Sequence, residues 1–259
     1  MDRENPCEGV RTGVTAGPDK SPPRIAAMFD AIAARYDFLN HLLSGGLDIQ
    51  WRRRAIQSLH FTGGERVLDL CTGTADLAIA AVRAHPAASR IVGIDFARAM
   101  LRVGRDKLAR ERLSSQVTLV AGDATRIPLS GESVDAVTIA FGIRNVVDTL
   151  AACREMQRVL RHGGRVAILE FAVPTAPVWR SVYAWYLKHV LPRVGRAVSR
   201  HTGAYGYLPA SIDAFATPDE LVKLLRHAGF ERISAIPLMF GSVILYTAAR
   251  PARGDAPPL

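Results

Sequence analysis

The 259-residue sequence is poor in cysteine, with Cys7, Cys71 and Cys153 as its full complement. An odd count, with no C-x-x-C pair and no histidine at metal-like spacing, supports neither a disulfide framework nor a zinc site, and no metal is expected. Long apolar runs are also missing: there is no stretch of about 18 uncharged apolar residues, and the first 22 residues lack the apolar core of a secretory signal. A cytoplasmic location, at most peripheral to the inner face of a membrane, is therefore expected. Acidic residues are scarce as well, 24 against 33 Lys and Arg, for a net charge of +9 and a pI near 10.0. That balance suits an anionic partner without choosing between nucleic acid and a membrane surface.

What is present reads as one α/β domain, since a chain of this length can bury a large single core. Residues 1–22 are rich in Gly, Pro and charge and are expected to be disordered. The domain spans 23–250, with N-terminal helices over 24–60, a helical insertion over 172–216 and a loose tail over 251–259. From Arg24, apolar residues at Ile25, Met28, Phe29, Ile32, Tyr36, Leu39 and Leu43 keep helical intervals until Gly45-Gly46, and a second helix is expected from about Ile49 to Leu59. Then strands (67–71, 90–94, 117–121, 134–140, 165–171) and helices (76–84, about 97–112, about 147–161) predict a mainly parallel sheet. The insertion carries no acidic residue between Glu170 and Asp213. After it, Thr217-Pro218 opens a helix, and two closely joined strands, ERISAIPLM and SVILYTAAR, must pair antiparallel.

In such a sheet ligands bind beyond the carboxyl ends of the strands, here Cys71 to Asp76, Asp95, Asp123-Ala124, Phe141 to Asn145 and Glu170. The first strand, RVLDL, runs into Thr72-Gly73-Thr74-Ala75-Asp76 and then a helix, whose unpaired N–H groups favour a polar cofactor group. Asp95 ends the next strand, 22 residues beyond Gly73, where a carboxylate can accept from ribose hydroxyls. A dinucleotide would need a second glycine in the turn, and Asp76 would repel its pyrophosphate while favouring a sulfonium or amino group. S-adenosylmethionine is thus the better fit, although a strand, turn and helix with one glycine also occur in α/β proteins that bind no such cofactor.

Specific motifs go further: FDAIAARYDFLN, VLDLCTGTADLA, GIDFARAMLRVGRDKL, GDATRIPLSGESVDAVTIAFGIRNV, VLRHGGRVAILEF and YGYLPASI. With these, roughly from Ile25 to Arg250, the chain resembles the ubiquinone/menaquinone biosynthesis C-methyltransferase family. The resemblance implies a class I S-adenosylmethionine-dependent methyltransferase, with a Rossmann-like, mainly parallel sheet ending in an antiparallel hairpin. It implies that Thr74, Asp95, Asp123 and Ala124 bind the cofactor, with Asp95 on the ribose and Asp123 and Ala124 at the adenine; Gly73 and Asp69 of the same strand and turn are grouped with them. Ala140 stands where many ubiquinone-type members have serine, and the Thr-Ala-Asp ending of the turn is more like menaquinone-type members, the demethylmenaquinone methyltransferases.

The reaction so implied methylates a ring carbon of a polyprenylated quinol, which requires a phenolate to be stabilised and a ring proton to be removed. Arg144 suits the first task, because arginine stays charged at any working pH and cannot itself be the base; a surface or helix-capping arginine is the plainer alternative. Asp76 is the candidate carboxylate near the transferring methyl, unless it only accepts N–H groups at the helix start. Asn145 and Tyr36 could bind a quinol hydroxyl, though Tyr36 also has a core spacing, and Asp37 and Asn40 could merely bridge helices. His189 and His201, in a basic segment, are expected to be solvated.

Two other functions compete. A methyltransferase acting on a phospholipid amine or another small lipid would need no phenolate stabiliser, so Arg144-Asn145 discriminates against it. A nucleic-acid-binding protein is disfavoured by scattered basic residues and by the absence of the Asn/Asp-Pro-Pro-aromatic motif. The insertion, with Trp179, Tyr183, Trp185 and Tyr186 among Arg180, Lys188, Arg193, Arg196 and Arg200, reads as a lid that could also meet an anionic membrane surface. A homodimer is compatible with the sequence.

Overall fold

The computed structural model describes residues 21–85, 90–191, 193 and 203–254. Residues 1–20, and with them Cys7, lie outside the described residues, as do Arg196, Arg200 and His201.

Three helices precede the sheet: α1 (Pro22–Ile32), α2 (Tyr36–Ser44) and α3 (Leu47–Gln57). Pro22 opens α1 at a position where its missing N–H is no loss, so the helix begins inside the segment expected to be disordered. The single helix expected up to Gly45 is instead interrupted by a 3₁₀ turn at Ala33–Arg35, which swings α2 away from α1. Gly45, at φ +60, closes α2 with bonds from its backbone N–H to His41 and Leu42 carbonyls.

Strands β1 (Arg66–Leu70), β2 (Arg90–Asp95), β3 (Val117–Ala121), β4 (Val134–Ala140), β5 (Leu160–Phe171), β6 (Glu231–Leu238) and β7 (Val243–Ala249) form one sheet in the order β3-β2-β1-β4-β5-β7-β6. Pairing is parallel from β3 to β5, while β7 runs antiparallel to both neighbours, as the short connection before it requires. β5 starts earlier than expected: Leu160 pairs with Val134, the ladder then shifts, and regular pairing resumes at Arg165. Gly163, at φ +76, makes that shift possible.

Helices cover both faces. α4 (Asp76–Ala84), α5 (Arg98–Arg110) and α3 pack Ile56, Val82 and Leu101 against Val67, Ala136, Ala167 and Leu245. On the other face α6 (Thr149–Val159) and α9 (Pro218–His227) pack Met156, Leu221 and Leu225 against Leu68, Val137, Ile168 and Tyr246. Successive strand residues thus serve opposite faces, and each large apolar side chain removed from water contributes about 1.5–3 kcal/mol. Thr217 and Glu220 cap α9 reciprocally, as the Thr-Pro start suggested. The insertion comprises α7 (Pro177–Trp185), which runs into a π-helical turn at Tyr186–Val190, and α8 (Gly203–Asp213).

Candidate active site

The first βα turn is built by residues in left-handed conformations: Cys71 (φ +56), Gly73 (φ +55) and Ala75 (φ +69). It is held from inside the core by Asp69, whose carboxylate accepts from Thr72 Oγ1 at 2.6 Å and from Thr138 Oγ1 at 2.8 Å. Burial pushes the Asp69 carboxyl up to about 6, against the lowering effect of those hydroxyls. Asp69 therefore stands behind the turn, where it fixes the loop.

On the open side, Asp95 accepts from Gly73 N at 2.9 Å through Oδ2 and from Ala97 N at 2.8 Å through Oδ1. Burial raises its pKa, opposed by these backbone bonds. Each oxygen keeps a second lone pair. Asp123 is exposed; its Oδ1 takes Thr125 N and Oγ1 at 2.7 and 2.8 Å. Beside it, Ala124 is buried. Thr74 donates to Asp37, which ties the turn to α2.

Asp76 accepts no backbone bond in α4; its Oδ1 meets Lys107 Nζ at 2.5 Å. Its Oδ2 is buried without a hydrogen-bond partner among the described residues, with Arg52 Nη2 at 3.5 Å. Lys107 also lies 2.5 Å from Asp37, and Arg52 pairs with Asp48, which accepts from Ser44 Oγ at 2.8 Å. His41, Asp48 and Asp76 bring ligand atoms within 4.8 Å of one another; the two carboxylates share Arg52, and His41 Nδ1 lies 2.7 Å from Asp48. A buried carboxylate oxygen with no hydrogen bond among the described residues, paired only with Arg52 at 3.5 Å, and Asp95 on the next strand tip fit a cofactor whose ammonium and sulfonium groups are cationic and whose ribose offers hydroxyl donors.

Next to this cluster lies a cavity of about 310 Å³, within the size range of small-molecule sites. Arg52, Asp48, Tyr36, Asn40 and Arg144 supply polar groups to it; Trp51, Phe141, Phe171, Tyr183 and Tyr186 are among its aromatic walls. None of Gly73, Thr74, Asp76, Asp95, Asp123 or Ala124 lines it, so the cofactor turn and the cavity are neighbours that share Arg52.

Arg144 is 5% exposed, which removes the surface reading, and α6 is capped by Asp148 rather than by this residue. Its Nη1 donates to Glu170 Oε1 and to Phe141 O, each at 2.6 Å, and its Nε to Ser211 Oγ at 3.3 Å. Glu170, with no exposed surface, also accepts from Arg144 N and Phe171 N. The guanidinium carbon lies 5.3 Å from the Phe171 ring centroid, and Nη2 has no hydrogen bond among the described residues. Asn145, by contrast, accepts from Tyr207 of α8 through Oδ1 at 2.9 Å and does not line the cavity. Tyr36 does; burial raises its pKa, opposed by the nearby Asn40 side chain and the charges of Arg144 and Arg52. His189 is half-buried with its ring 5.9 Å from Trp185, away from the cavity lining.

Gly142 joins the two halves of the site. A Cβ there would lie 2.3 Å from Cys71 Cβ, so only glycine lets the tip of β4 sit on the tip of β1. Sequence reasoning did not find Arg52 or Lys107, nor Glu170 as a partner. For Arg52 a signal existed, the i, i+4 spacing to Asp48 on one helix. Lys107 and Glu170 meet their partners only through the tertiary fold.

The sequence profile of the ubiE/COQ5 methyltransferase family matches residues 18–250. A ubiquinone/menaquinone biosynthesis C-methyltransferase UbiE of Geobacter sp. (strain M21) is 44% identical over 227 residues, 88% of this chain and 96% of the relative. A demethylmenaquinone methyltransferase of Mycobacterium sp. (strain KMS) is 43% identical over 235 residues, 91% of this chain and 97% of the relative. Among solved structures, the [4+2]-cyclase SpnF superposes with a TM-score of 0.68 at 18% identity, covering 92% of this chain and 100% of its own. A SAM-dependent methyltransferase of Thermotoga maritima, titled a possible histamine N-methyltransferase, gives 0.60 at 16% identity, covering 87% and 99%. These two likenesses establish the fold, a class I Rossmann-like sheet.

Proposed function

Because the chain belongs to the ubiE/COQ5 methyltransferase family, we propose that it transfers the methyl group of S-adenosylmethionine to a ring carbon of a polyprenylated quinol in respiratory quinone biosynthesis, with demethylmenaquinol as acceptor. The observation that carries the acceptor is Arg144: a buried guanidinium, fixed by Glu170, Phe141 and Ser211, with Nη2 free of hydrogen bonds among the described residues and the side chain lining a largely apolar cavity. A donor held in advance where phenolate charge develops stabilises that charge without reorganisation. A phospholipid amine would develop no such charge.

When bound, the cofactor supplies a methyl group already activated by its sulfonium. Asp95 would hold the ribose hydroxyls, Gly73 and Thr74 would shape the turn at the methionyl end, and Asp123 with Ala124 would flank the adenine. Asp76, whose Oδ2 makes no hydrogen bond among the described residues though it pairs with Arg52 at 3.5 Å, would face the cofactor's cationic end. Arg144 would stabilise the quinol oxyanion, and Tyr36, which lines the same cavity, would meet a second quinol oxygen. The aromatic walls exclude water and orient the ring; alignment of this kind contributes about 7–11 kcal/mol in model reactions. Asn145, joined to Tyr207, orients the loop that carries Arg144.

No helix among the described residues is long and apolar enough to cross a membrane. We further propose that α7 rests on the inner face of one: Val178, Val182 and Trp185 are exposed there, close to basic Arg180, Lys188 and Arg193. The reading predicts salt-sensitive sedimentation with anionic vesicles that weakens in Trp185→Ser; identical sedimentation of both proteins removes it. For the reaction itself, purified protein given S-adenosylmethionine should methylate a short-tailed demethylmenaquinol and leave phosphatidylethanolamine untouched. The opposite selectivity would refute the acceptor assignment.

A further inference from the structure

The mouth of the acceptor cavity holds a pair of large rings in an unusual position. Trp179 on α7 and Phe240 in the β6–β7 turn stack at 4.1 Å between centroids and 9° between planes. Both line the cavity, and yet they are 38% and 61% exposed. The turn that presents Phe240 has three successive residues at positive φ: Met239 (+44), Phe240 (+54) and Gly241 (+88). Two of these are not glycine, and such strain persists where a side chain must be aimed at something, often a ligand clamp. Around the pair, Val182 one turn along α7, Pro174 beside Gly241, and Met239 add apolar surface, while Arg144, Arg52 and Asp48 supply charged groups to the same cavity.

From this arrangement we infer that Trp179 and Phe240 form a subsite for the first isoprene units of the acceptor's tail. The inference rests on the quinol reading above and deepens it. One cavity joins charged groups, suited to the quinol oxygens, to an exposed apolar clasp. An isoprenoid is the acceptor substituent that needs no polar partner, and a stacked aromatic pair at an open mouth offers it an apolar surface to lie along without enclosing the rest of a long chain. Van der Waals contact with the exposed surface of the stacked pair then selects prenylated over unprenylated quinols.

The test compares kcat/KM for demethylmenaquinol carrying two isoprene units with that for the same ring carrying none, in wild type, Phe240→Gly and Trp179→Ala. Glycine accepts φ +54 without strain, so Phe240→Gly removes the ring while leaving the turn intact. Thermal unfolding run alongside identifies a variant that has failed to fold. Wild type should prefer the prenylated quinol, and either substitution should cut that preference about tenfold, mainly through KM, the worth of about two buried methylene groups. A preference that survives both substitutions, or a wild type indifferent to the tail, overturns the subsite. A wild type that methylates neither quinol overturns the acceptor reading itself, and the subsite with it.

Discussion

Replacing Arg144 by lysine keeps a positive charge at the same place and removes the planar fork, so it separates charge from geometry. In the structure Nη1 serves Glu170 and Phe141 at 2.6 Å each, while Nε serves Ser211 at 3.3 Å. A single ammonium can retain Glu170 but cannot also reach Ser211 and present a further donor to the cavity. Losing one or two hydrogen bonds of a charged group should lower stability by about 1.5–3 kcal/mol. At about 2–4 °C per kcal/mol for a chain of this size, the melting temperature should fall by roughly 3–12 °C. If Nη2 also stabilises the phenolate, kcat should fall by about 10²–10³, the cost of removing one oxyanion donor. Cofactor affinity by calorimetry should stay within about threefold, because no cofactor residue bonds Arg144. Arg144→Ala is the poorer probe: it strands the buried Glu170 carboxylate and should cost about 3–5 kcal/mol through folding alone. A lysine variant that melts lower but keeps kcat within about threefold would refute the catalytic assignment and leave Arg144 as a structural ion pair.

Asp95→Ala should weaken S-adenosylmethionine binding by about 1.5–3 kcal/mol, read by calorimetry; unchanged affinity would remove the ribose assignment. Asp69 titrates in the fold near 6 instead of 3.8, a raised value, so its stabilising contribution is complete below pH 3.8 and is lost as pH rises through about 6. Asp69→Asn should therefore narrow the difference between melting temperatures measured at pH 5 and pH 7.5, a term of about 1.4 kcal/mol in wild type because more than half of the loss already occurs below pH 5, and an unaltered difference would argue against that titration. Lys107→Met leaves Asp37 and Asp76 facing each other without their shared cation and should lower stability by about 1–3 kcal/mol; a melting temperature equal to wild type would mean the cluster contributes nothing.

How much of this could be read from the chain depended on whether a signal was local. The strand tips were legible because each apolar run ends abruptly in a polar or glycine residue, as at Leu70 before Cys71 and Ile94 before Asp95. The Thr217 cap was legible because Thr-Pro and Glu220 lie within one turn. The break between α1 and α2 was not: Ala33, Ala34 and Arg35 are good helix formers, and packing of Ala33 beside Ala97 and Met100 overrides that preference. Asp69 illustrates a subtler limit, since its spacing cannot say that Thr72 and Thr138 close over it from behind. Partners of the insertion were equally hidden. Ser211 meets Arg144 across 67 residues and Tyr207 meets Asn145 across 62, pairings that no periodicity announces.

The seating of Gly142 on Cys71 bears on attempts to redesign the enzyme. With a virtual Cβ 2.3 Å from the Cys71 Cβ, position 142 admits no mutational diversity, and the spacing between the methyl donor's turn and the wall that carries Arg144 is inherited as a constant. A library aimed at new acceptors gains nothing by sampling that seam and loses most of its members there. Diversity is better placed among the exposed residues of the cavity lining, where Val182 and Phe240 face solvent and a change alters the tail contact rather than the seam. The fold thereby divides its own sequence space into a frozen reaction coordinate and an evolvable entrance.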